Sequence, residues 1–330
     1  MNVDRRTLLT GAVAAAAAAP VRAQTHAPSA GSEHLAWPEP TETIDLWPNL
    51  PARTGAPALV ETVRERSRDP SYNDRYVLGI GRPRMAVFRP AVPKGGAALI
   101  MPGGSYRWVV VDKEGYEMAR WLNGRGITAF VLFYRLPHEG WASGPDTPIV
   151  DAQRAMRLVR HRAAAYRLDA HRVCALGFSA GGHACASLLT RFDAKLYQPV
   201  DDADSLSARP DIAAPIYPVI SMSAPTAHGV SRGNLIGESA TAGLERAYNP
   251  ALHIPRNAPP TFLCHAEDDP SVPVENTLML RERLLKAKVS VETHLYPNGG
   301  HGFGLRLAKG RSVDGWEEVF FAWGHKQGVF

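Results

Sequence analysis

The sequence has few of the residues that build a disulfide framework or a metal centre. It contains three cysteines in 330 residues, and all three lie in apolar segments: Cys174, Cys185 and Cys264. Cysteines in such segments are usually small buried hydrophobic residues, so we expect these three in the core. There is no H-E-x-x-H motif or other zinc-like spacing, and no G-x-G-x-x-G or phosphate-binding loop. We therefore predict a protein that uses no metal and no organic cofactor.

Long runs of one charge are also absent. Lys and Arg number 37 and Asp and Glu number 32, a formal net charge of +5, and the excess is spread along the chain. A nucleic-acid-binding surface normally needs clustered basic residues, so we predict no nucleic-acid partner. Hydrophobic residues make up 45% of the chain and charged residues 21%, which is typical of a soluble protein that buries a sizeable core.

The first 23 residues have the pattern of an export signal. The charged start contains Arg5 and Arg6, an apolar run follows at residues 8–19, and residues 21–23 (VRA) form a small-x-small cleavage site. The apolar run is too short and too rich in alanine to span a bilayer stably, so we predict no stable membrane anchor. The paired arginines resemble a twin-arginine export signal, with a general secretory signal or a helical extension as the alternatives. We therefore expect a periplasmic or secreted protein.

The rest of the chain divides into an arm and one domain. Residues 24–75 are rich in proline and polar residues without clear periodicity, which predicts an extended arm. Residues 76–330 alternate between apolar runs and helix-like segments, which predicts an α/β domain with a mostly parallel central sheet and helices on both faces. The predicted strands cover 98–101, 127–136, 172–178, 211–221, 260–267 and 289–297. The predicted helices cover 114–123, 148–168, 180–192, 275–288 and 316–327. The carboxyl ends of such strands meet at one edge of the sheet, where sites form.

One of these strand ends carries a candidate nucleophile. Residues 177–181 (GFSAG) form a G-x-S-x-G pattern between a predicted strand and a predicted helix. A serine in this position adopts a strained turn that presents its hydroxyl, and Gly177 and Gly181 remove side chains that would clash there. Ser179 is therefore the predicted nucleophile. The alternative is a glycine-rich loop with an incidental serine, so the prediction depends on finding an acid and a base.

A base and an acid follow Ser179 in the order expected of a doubly wound hydrolase. His301 lies in a glycine-rich loop after a late predicted strand, where it could reach the serine hydroxyl and take its proton. The loop after the preceding strand offers Glu267, Asp268 and Asp269 to orient the imidazole. We favour Asp269, which begins a D-x-x-V-P segment, and keep Asp268 as the alternative.

Backbone donors for an oxyanion are expected from two places. One is the amide of Ala180, directly after the nucleophile. The other is the Pro-Gly-Gly loop after an early predicted strand, with Gly103 and Gly104 as one candidate pair of amides and Gly104 and Ser105 as the other. The bare glycines let the backbone approach a substrate carbonyl.

Three residues after this loop are candidate substrate contacts. Tyr106, Arg107 and Trp108 follow directly and are expected to line the acyl or sugar side of the site. For Trp108 the alternative is core packing. Two long connecting segments, 193–210 and 222–258, are expected to shape specificity at the same edge of the sheet.

Taken together, these segments resemble the serine esterases of the α/β-hydrolase superfamily. The chain is similar to bacterial acetyl esterase, xylan esterase and feruloyl-esterase-like (BD-FAE-like) proteins over about residues 84–328. The shared segments include PGGSY (102–106), KEGYEMARWL (113–122), GFSAGGH (177–183), HAEDDPSVPVEN (265–276) and GGHGFGL (299–305). The chain departs from the H-G-G-G loop of esterases, because Pro102 replaces the histidine and Ser105 the last glycine.

The resemblance implies a Ser-His-Asp enzyme that removes acetyl or other short acyl groups. Its implied partners are acylated carbohydrates from plant polysaccharides such as xylan, or other small esters, and it implies no cofactor. A general carboxylesterase, a lipase or a serine peptidase on the same fold is an alternative. An inactive carbohydrate-binding protein is another, although every triad position is filled. The sequence indicates no particular oligomeric state.

Overall fold

A computed structural model describes residues 39–49, 52–54 and 58–330 of the chain. The predicted export signal lies outside the described residues, and so does the first part of the predicted arm, up to residue 38. The described part of the arm contributes short strands to two sheets.

The described residues contain eleven strands. In chain order they are β1 (Glu42–Asp45), β2 (Thr62–Glu65), β3 (Arg75–Leu78), β4 (Arg84–Phe88), β5 (Ala97–Met101), β6 (Val109–Val110), β7 (Thr128–Phe133), β8 (Val173–Phe178), β9 (Ile212–Ile216), β10 (Thr261–Ala266) and β11 (Val291–Tyr296).

The same residues contain seven α-helices. They are α1 (Glu117–Asn123), α2 (Thr147–His161), α3 (Ala180–Arg191), α4 (Gly229–Ile236), α5 (Ala242–Ala247), α6 (Glu275–Lys286) and α7 (Trp316–Lys326). A π-helical turn, Asp112–Tyr116, runs directly into α1. None of the helices in the described ranges has the length and apolar character needed to cross a membrane.

Eight strands form the central sheet, in the order β1-β4-β7-β5-β8-β9-β10-β11. The pairs from β7 to β11 are all parallel, and only β1-β4 and β4-β7 are antiparallel. Every residue of β5, β7, β8, β9 and β10 is buried, because both faces of these strands are covered. The predicted mostly parallel α/β sheet is confirmed. A second, antiparallel sheet has the order β2-β3-β6, and its strand β6 follows the Pro-Gly-Gly loop in the sequence.

Several predicted elements are shorter in the structure, among them the strand predicted over 127–136, which covers Thr128–Phe133. The strand predicted over 211–221 ends at Ile216, because Tyr217 has a φ of 36°. The helix predicted over 148–168 ends at His161, and a 3₁₀ turn leads to Arg167 with a φ of 56°.

The three cysteines are buried in β8, α3 and β10 and form no disulfide. This confirms the prediction that they are core residues. Burial raises the pKa of the Cys185 thiol to about 12 and that of Cys174 and Cys264 as well. These thiols therefore stay protonated and unreactive.

A buried ion pair joins the end of β7 to α2. The guanidinium of Arg135 lies 2.7 Å from the carboxylate of Asp151, and the two side chains are 3% and 0% exposed. Asp151 also accepts hydrogen bonds from the Arg135 backbone N–H at 2.9 Å and from the Trp47 indole at 2.9 Å. Because both side chains are buried, water does not solvate the two charges, and each charge is compensated by the other.

We expect Arg135→Met to lower the free energy of unfolding by about 3–5 kcal/mol, because it leaves the Asp151 charge buried without a cation. The matched control is Arg82→Met, which breaks an exposed pair with Asp45 (side chains 65% and 41% exposed). The control should cost no more than about 1 kcal/mol. Urea denaturation of both variants measures the difference, and equal losses would contradict the interpretation.

Candidate active site

Ser179 occupies the turn between β8 and α3. Its backbone has φ 54° and ψ −117°, a conformation that residues other than glycine rarely adopt. Hydrogen bonds hold it from both sides: its N–H donates to Ile216 O, and its carbonyl accepts from Val219 N–H, each at 3.1 Å. The turn therefore places the hydroxyl at the carboxyl edge of the sheet, as the G-x-S-x-G pattern requires.

The glycines around Ser179 have no room for a side chain. A Cβ on Gly177 would lie 2.1 Å from the carbonyl oxygen of Gly181, and a Cβ on Gly181 would lie 2.0 Å from the carbonyl oxygen of Met101. A Cβ on Gly182 would lie 2.9 Å from Cα of Pro218. The start of α3 therefore packs directly against the backbone of its neighbours.

The structure brings Ser179, His301 and Asp269 into one chain of hydrogen bonds. Ser179 Oγ lies 2.8 Å from His301 Nε2, and His301 Nδ1 lies 2.6 Å from Asp269 Oδ2. A carboxylate accepts only, so Nδ1 carries the proton and Nε2 is free to accept one from the serine hydroxyl. This is the arrangement of a serine nucleophile with its general base.

Asp269 is buried and ionised. Its side chain is 0% exposed, and its other oxygen accepts from the N–H groups of Ser271 (2.8 Å) and Val272 (2.9 Å). Burial alone would raise the pKa of Asp269, but hydrogen bonds from His265 (3.1 Å) and His301 outweigh it and hold the pKa well below its usual range. The carboxylate can therefore stabilise an imidazolium at His301.

The neighbouring acids have other surroundings. One oxygen of Asp268 accepts from the backbone N–H groups of Gly299 and Gly300, both at 2.8 Å, so Asp268 fixes the loop that carries His301. Glu267 is exposed at the surface. Of the three candidate acids, only Asp269 reaches the imidazole.

The Pro-Gly-Gly loop passes directly over Ser179, but one of its predicted donors is already engaged. The N–H of Gly103 donates to Glu114 Oε2 at 2.9 Å, so it is not free for an oxyanion. The prediction of Gly103 as a donor is therefore wrong. In the described part of the chain, the N–H groups of Gly104, Ser105 and Ala180 make no hydrogen bond. The structure favours the second predicted pair, Gly104 and Ser105, together with Ala180.

Tyr106 does not line the site, contrary to our prediction. It is only 1% exposed, and its hydroxyl donates to Nδ1 of His183 at 2.7 Å. The other ring nitrogen of His183 donates to the carbonyl of Tyr248 at 2.8 Å. Burial lowers the pKa of His183 to about 4, so the ring is neutral near pH 7. Tyr106 and His183 therefore form a buried link between the oxyanion loop and the segment 222–258.

Arg107 and Trp108 lie at the surface next to the oxyanion loop. Arg107 is exposed, with its guanidinium carbon 4.9 Å from the centroid of the Trp108 ring. Trp108 is half-buried and packs on Tyr76 of β3, with ring centroids 4.6 Å apart. A Cβ on Gly104 would lie 2.6 Å from the indole, so Trp108 adjoins a predicted oxyanion donor. Trp108 therefore packs as the alternative predicted, and the residue is only partly buried.

Helix α4, in the segment 222–258, contacts the oxyanion loop. Asn234 donates to the carbonyl of Ser105 at 2.9 Å, which ties the helix to the oxyanion loop. At the other end, Nδ1 of His228 accepts from the N–H of Ser231. Burial lowers the pKa of His228, and the charges of His301 and Asp269 act on it as well. The helix has eight residues and two glycines, so no apolar periodicity predicts it.

A match to a known family covers the core of this site. The BD-FAE family model matches residues 97–284, more than half of the chain. The chain belongs to the BD-FAE family. The matched region runs from β5 through most of α6 and includes Ser179 and Asp269, which confirms the resemblance found in the sequence.

Two curated relatives share much of the same region. Endo-1,4-beta-xylanase B of Butyrivibrio fibrisolvens is 33% identical over 218 residues, which cover 66% of this chain and 34% of that protein. Acetylxylan esterase of Xylanibacter ruminicola is 32% identical over 238 residues, which cover 68% of this chain and 44% of that protein. The chain therefore spans less than half the length of either relative.

Solved structures show the same fold. An acetyl ester-xyloside bifunctional hydrolase from Caldicellulosiruptor lactoaceticus superposes with a TM-score of 0.70 at 32% identity, covering 88% of this chain and 98% of that one. A thermophilic esterase from Thermogutta terrifontis superposes with a TM-score of 0.62 at 22% identity, covering 83% and 96%. The fold is that of the α/β hydrolases, as predicted.

The buried neutral state of His183 predicts how stability depends on pH. The folded-state pKa of about 4 lies below that of a free histidine, so unfolding takes up a proton at acidic pH. The stabilisation is complete above about pH 6.5 and is lost as the pH falls towards 4, a change on the order of 2–3 kcal/mol. Urea denaturation at several pH values should show a shallower pH dependence for His183→Asn than for the wild type.

The matched variant for this experiment is Tyr106→Phe, which keeps the buried imidazole and removes only its hydroxyl partner. It should retain the steep pH dependence of the wild type while losing some stability at every pH. Parallel pH curves for His183→Asn and the wild type would show that His183 is not the group that titrates.

Proposed function

We propose that this chain is an exported serine ester hydrolase that works through an acyl-enzyme on Ser179. The observation that carries the proposal is the hydrogen-bonded chain from Ser179 Oγ to His301 (2.8 Å) and on to the buried Asp269 (2.6 Å). The esterase names of the relatives and of the solved structures support the same reaction class. Export rests on the sequence pattern of residues 1–23 alone.

In the acylation half of the reaction, the Ser179 hydroxyl attacks the ester carbonyl carbon while Nε2 of His301 takes its proton. The oxyanion that forms receives hydrogen bonds from the free N–H groups of Ala180, Gly104 and Ser105. Asp269 stays ionised and stabilises the imidazolium. His301 then gives its proton to the departing alkoxide, which leaves as the alcohol.

In the second half, water repeats the attack on the acyl-enzyme. Nε2 of His301 takes a proton from water as the new tetrahedral intermediate forms, and returns it to Ser179 Oγ when the intermediate collapses. The free acid leaves and the serine is restored. Apart from the attacking water, these steps use side-chain and backbone groups of the chain.

For the substrate we propose acetyl or other short acyl esters of plant polysaccharides or oligosaccharides, such as acetylated xylan. The names of the relatives support this class: an acetylxylan esterase, a xylanase and an acetyl ester-xyloside hydrolase. In this chain, Arg107 and Trp108 border the oxyanion loop, and His228 lies within electrostatic reach of His301. These groups offer an aromatic surface and hydrogen-bond donors, which suit a sugar better than a long alkyl chain.

The test of this function compares substrates and one serine variant. We expect release of acetate from acetylated xylan and from p-nitrophenyl acetate, much slower turnover of long-chain esters, and none of aminoacyl amides. Ser179→Ala should abolish these activities, because the nucleophile is removed. The matched control is Ser187→Ala on the same helix, which should keep them. Preference for long-chain esters or amides would favour a lipase or peptidase, and activity in Ser179→Ala would contradict the mechanism.

A second test separates the two adjacent aspartates. Asp269→Asn should lower kcat by about 10⁴-fold, because the amide no longer holds the imidazole in the productive tautomer. Asp268→Asn keeps an oxygen that can accept from the Gly299 and Gly300 amides, so its kcat should fall by no more than about tenfold. Steady-state kinetics on p-nitrophenyl acetate measure both, and similar losses in the two variants would overturn the assignment of the triad acid.

A further inference from the structure

Glu114 is a buried acid next to the site that the proposed reaction does not use. It lies in the π-helical turn before α1, within the shared segment KEGYEMARWL, and is 3% exposed. One of its oxygens, Oε2, accepts from the N–H of Gly103 at 2.9 Å. This bond fixes the peptide plane that enters the Pro-Gly-Gly loop and leaves the next two N–H groups, those of Gly104 and Ser105, for an oxyanion.

The other oxygen of Glu114 reaches the side of the site that carries the base. Oε1 accepts from the hydroxyl of Tyr217 at 3.1 Å, and burial raises the pKa of that hydroxyl, so it keeps its proton. The ring of Tyr217 packs against the imidazole of His301, with centroids 5.2 Å apart. Its hydroxyl oxygen also accepts from the N–H of Gly304, three residues after His301, at 3.2 Å.

The loop that carries His301 also passes directly over Glu114. Gly302 has a φ of 68°, and a Cβ there would lie 3.5 Å from Glu114 Oε1 and 3.1 Å from Nζ of Lys113. A Cβ on Gly103 would lie 2.6 Å from Glu114 Oε2 and 2.9 Å from Cβ of Ser179. One carboxylate therefore contacts both loops that must be aligned on the serine.

We propose that Glu114 is a positioning residue that holds the oxyanion loop and the His301 loop in register with Ser179. Burying a carboxylate is costly, and replacing it by an apolar residue would pack the core at least as well. Its two oxygens instead bind the Gly103 N–H of the oxyanion loop and the hydroxyl of Tyr217, which in turn accepts from the Gly304 N–H of the His301 loop. Small errors in the placement of catalytic groups have large effects on rate, so this register contributes to kcat more than to substrate binding. The inference rests on the proposed function.

The experiment measures kcat per active serine in Glu114→Gln and Glu114→Ala, with active sites counted by titration with a fluorophosphonate. Glutamine has one accepting oxygen and so cannot accept from both Gly103 and Tyr217; its amide N–H would have to donate to the Tyr217 hydroxyl instead, which reverses that bond. We expect kcat on p-nitrophenyl acetate to fall about tenfold. Alanine serves neither, and we expect a fall of about 100-fold. KM should change by less than about threefold in both, because the effect is on the transition state.

A transition-state analogue provides a second readout. Affinity for a trifluoromethyl ketone, which forms a tetrahedral adduct with the serine, should fall by the same factor as kcat/KM. The matched control is Glu317→Gln in α7, another buried carboxylate (4% exposed), which pairs with Lys309 at 3.7 Å. Its kcat per active serine should stay within about twofold of the wild type.

The outcomes separate this inference from the proposed function. If the wild type neither reacts with the fluorophosphonate nor hydrolyses esters, the proposed function fails. If the wild type is active and both Glu114 variants lose only titratable sites, with kcat per site unchanged, Glu114 supports folding alone and the inference is overturned. A lower kcat per site with matching loss of ketone affinity supports it.

Discussion

The backbone of Ser179 keeps its left-handed conformation because neighbouring chain segments hold it on both sides. The Ser179 N–H donates to the carbonyl of Ile216 at the end of β9, and the Ser179 carbonyl accepts from the N–H of Val219. Gly181 packs against the carbonyl of Met101 at the end of β5. Strain of this kind persists only where the surroundings over-determine it. The buried parallel sheet supplies those surroundings, and so the site depends on the register of β5, β8 and β9.

Buried charge is placed around this turn only where donors can compensate it. Asp269 has two backbone N–H donors and two imidazoles, and Glu114 has one backbone N–H and one hydroxyl. The first carboxylate orients the base, and we propose that the second aligns the loops. Because each acid is held by groups from different segments, the geometry of the site is coupled to the fold around it.

The alternation of apolar runs with helix-like segments predicted the parallel sheet, and strand ends and glycine spacing predicted where Ser179, Asp269 and His301 would lie. These features are local, because a buried strand and a tight turn each require particular residue types at consecutive positions in the sequence. The errors concern long-range partners. Whether the Gly103 amide is free depends on Glu114, and whether Tyr106 is exposed depends on His183 and Tyr248. Short periodic patterns carry no information about such pairings.

The central claim is that the acyl group is transferred to the Ser179 hydroxyl and forms a covalent acyl-enzyme there. Rapid-quench mass spectrometry of the wild type mixed with p-nitrophenyl acetate tests it most directly. The account predicts one acetyl group on the peptide that contains Ser179, formed at least as fast as the enzyme turns over. Turnover without any acetylated Ser179, or acetylation slower than turnover, would contradict it.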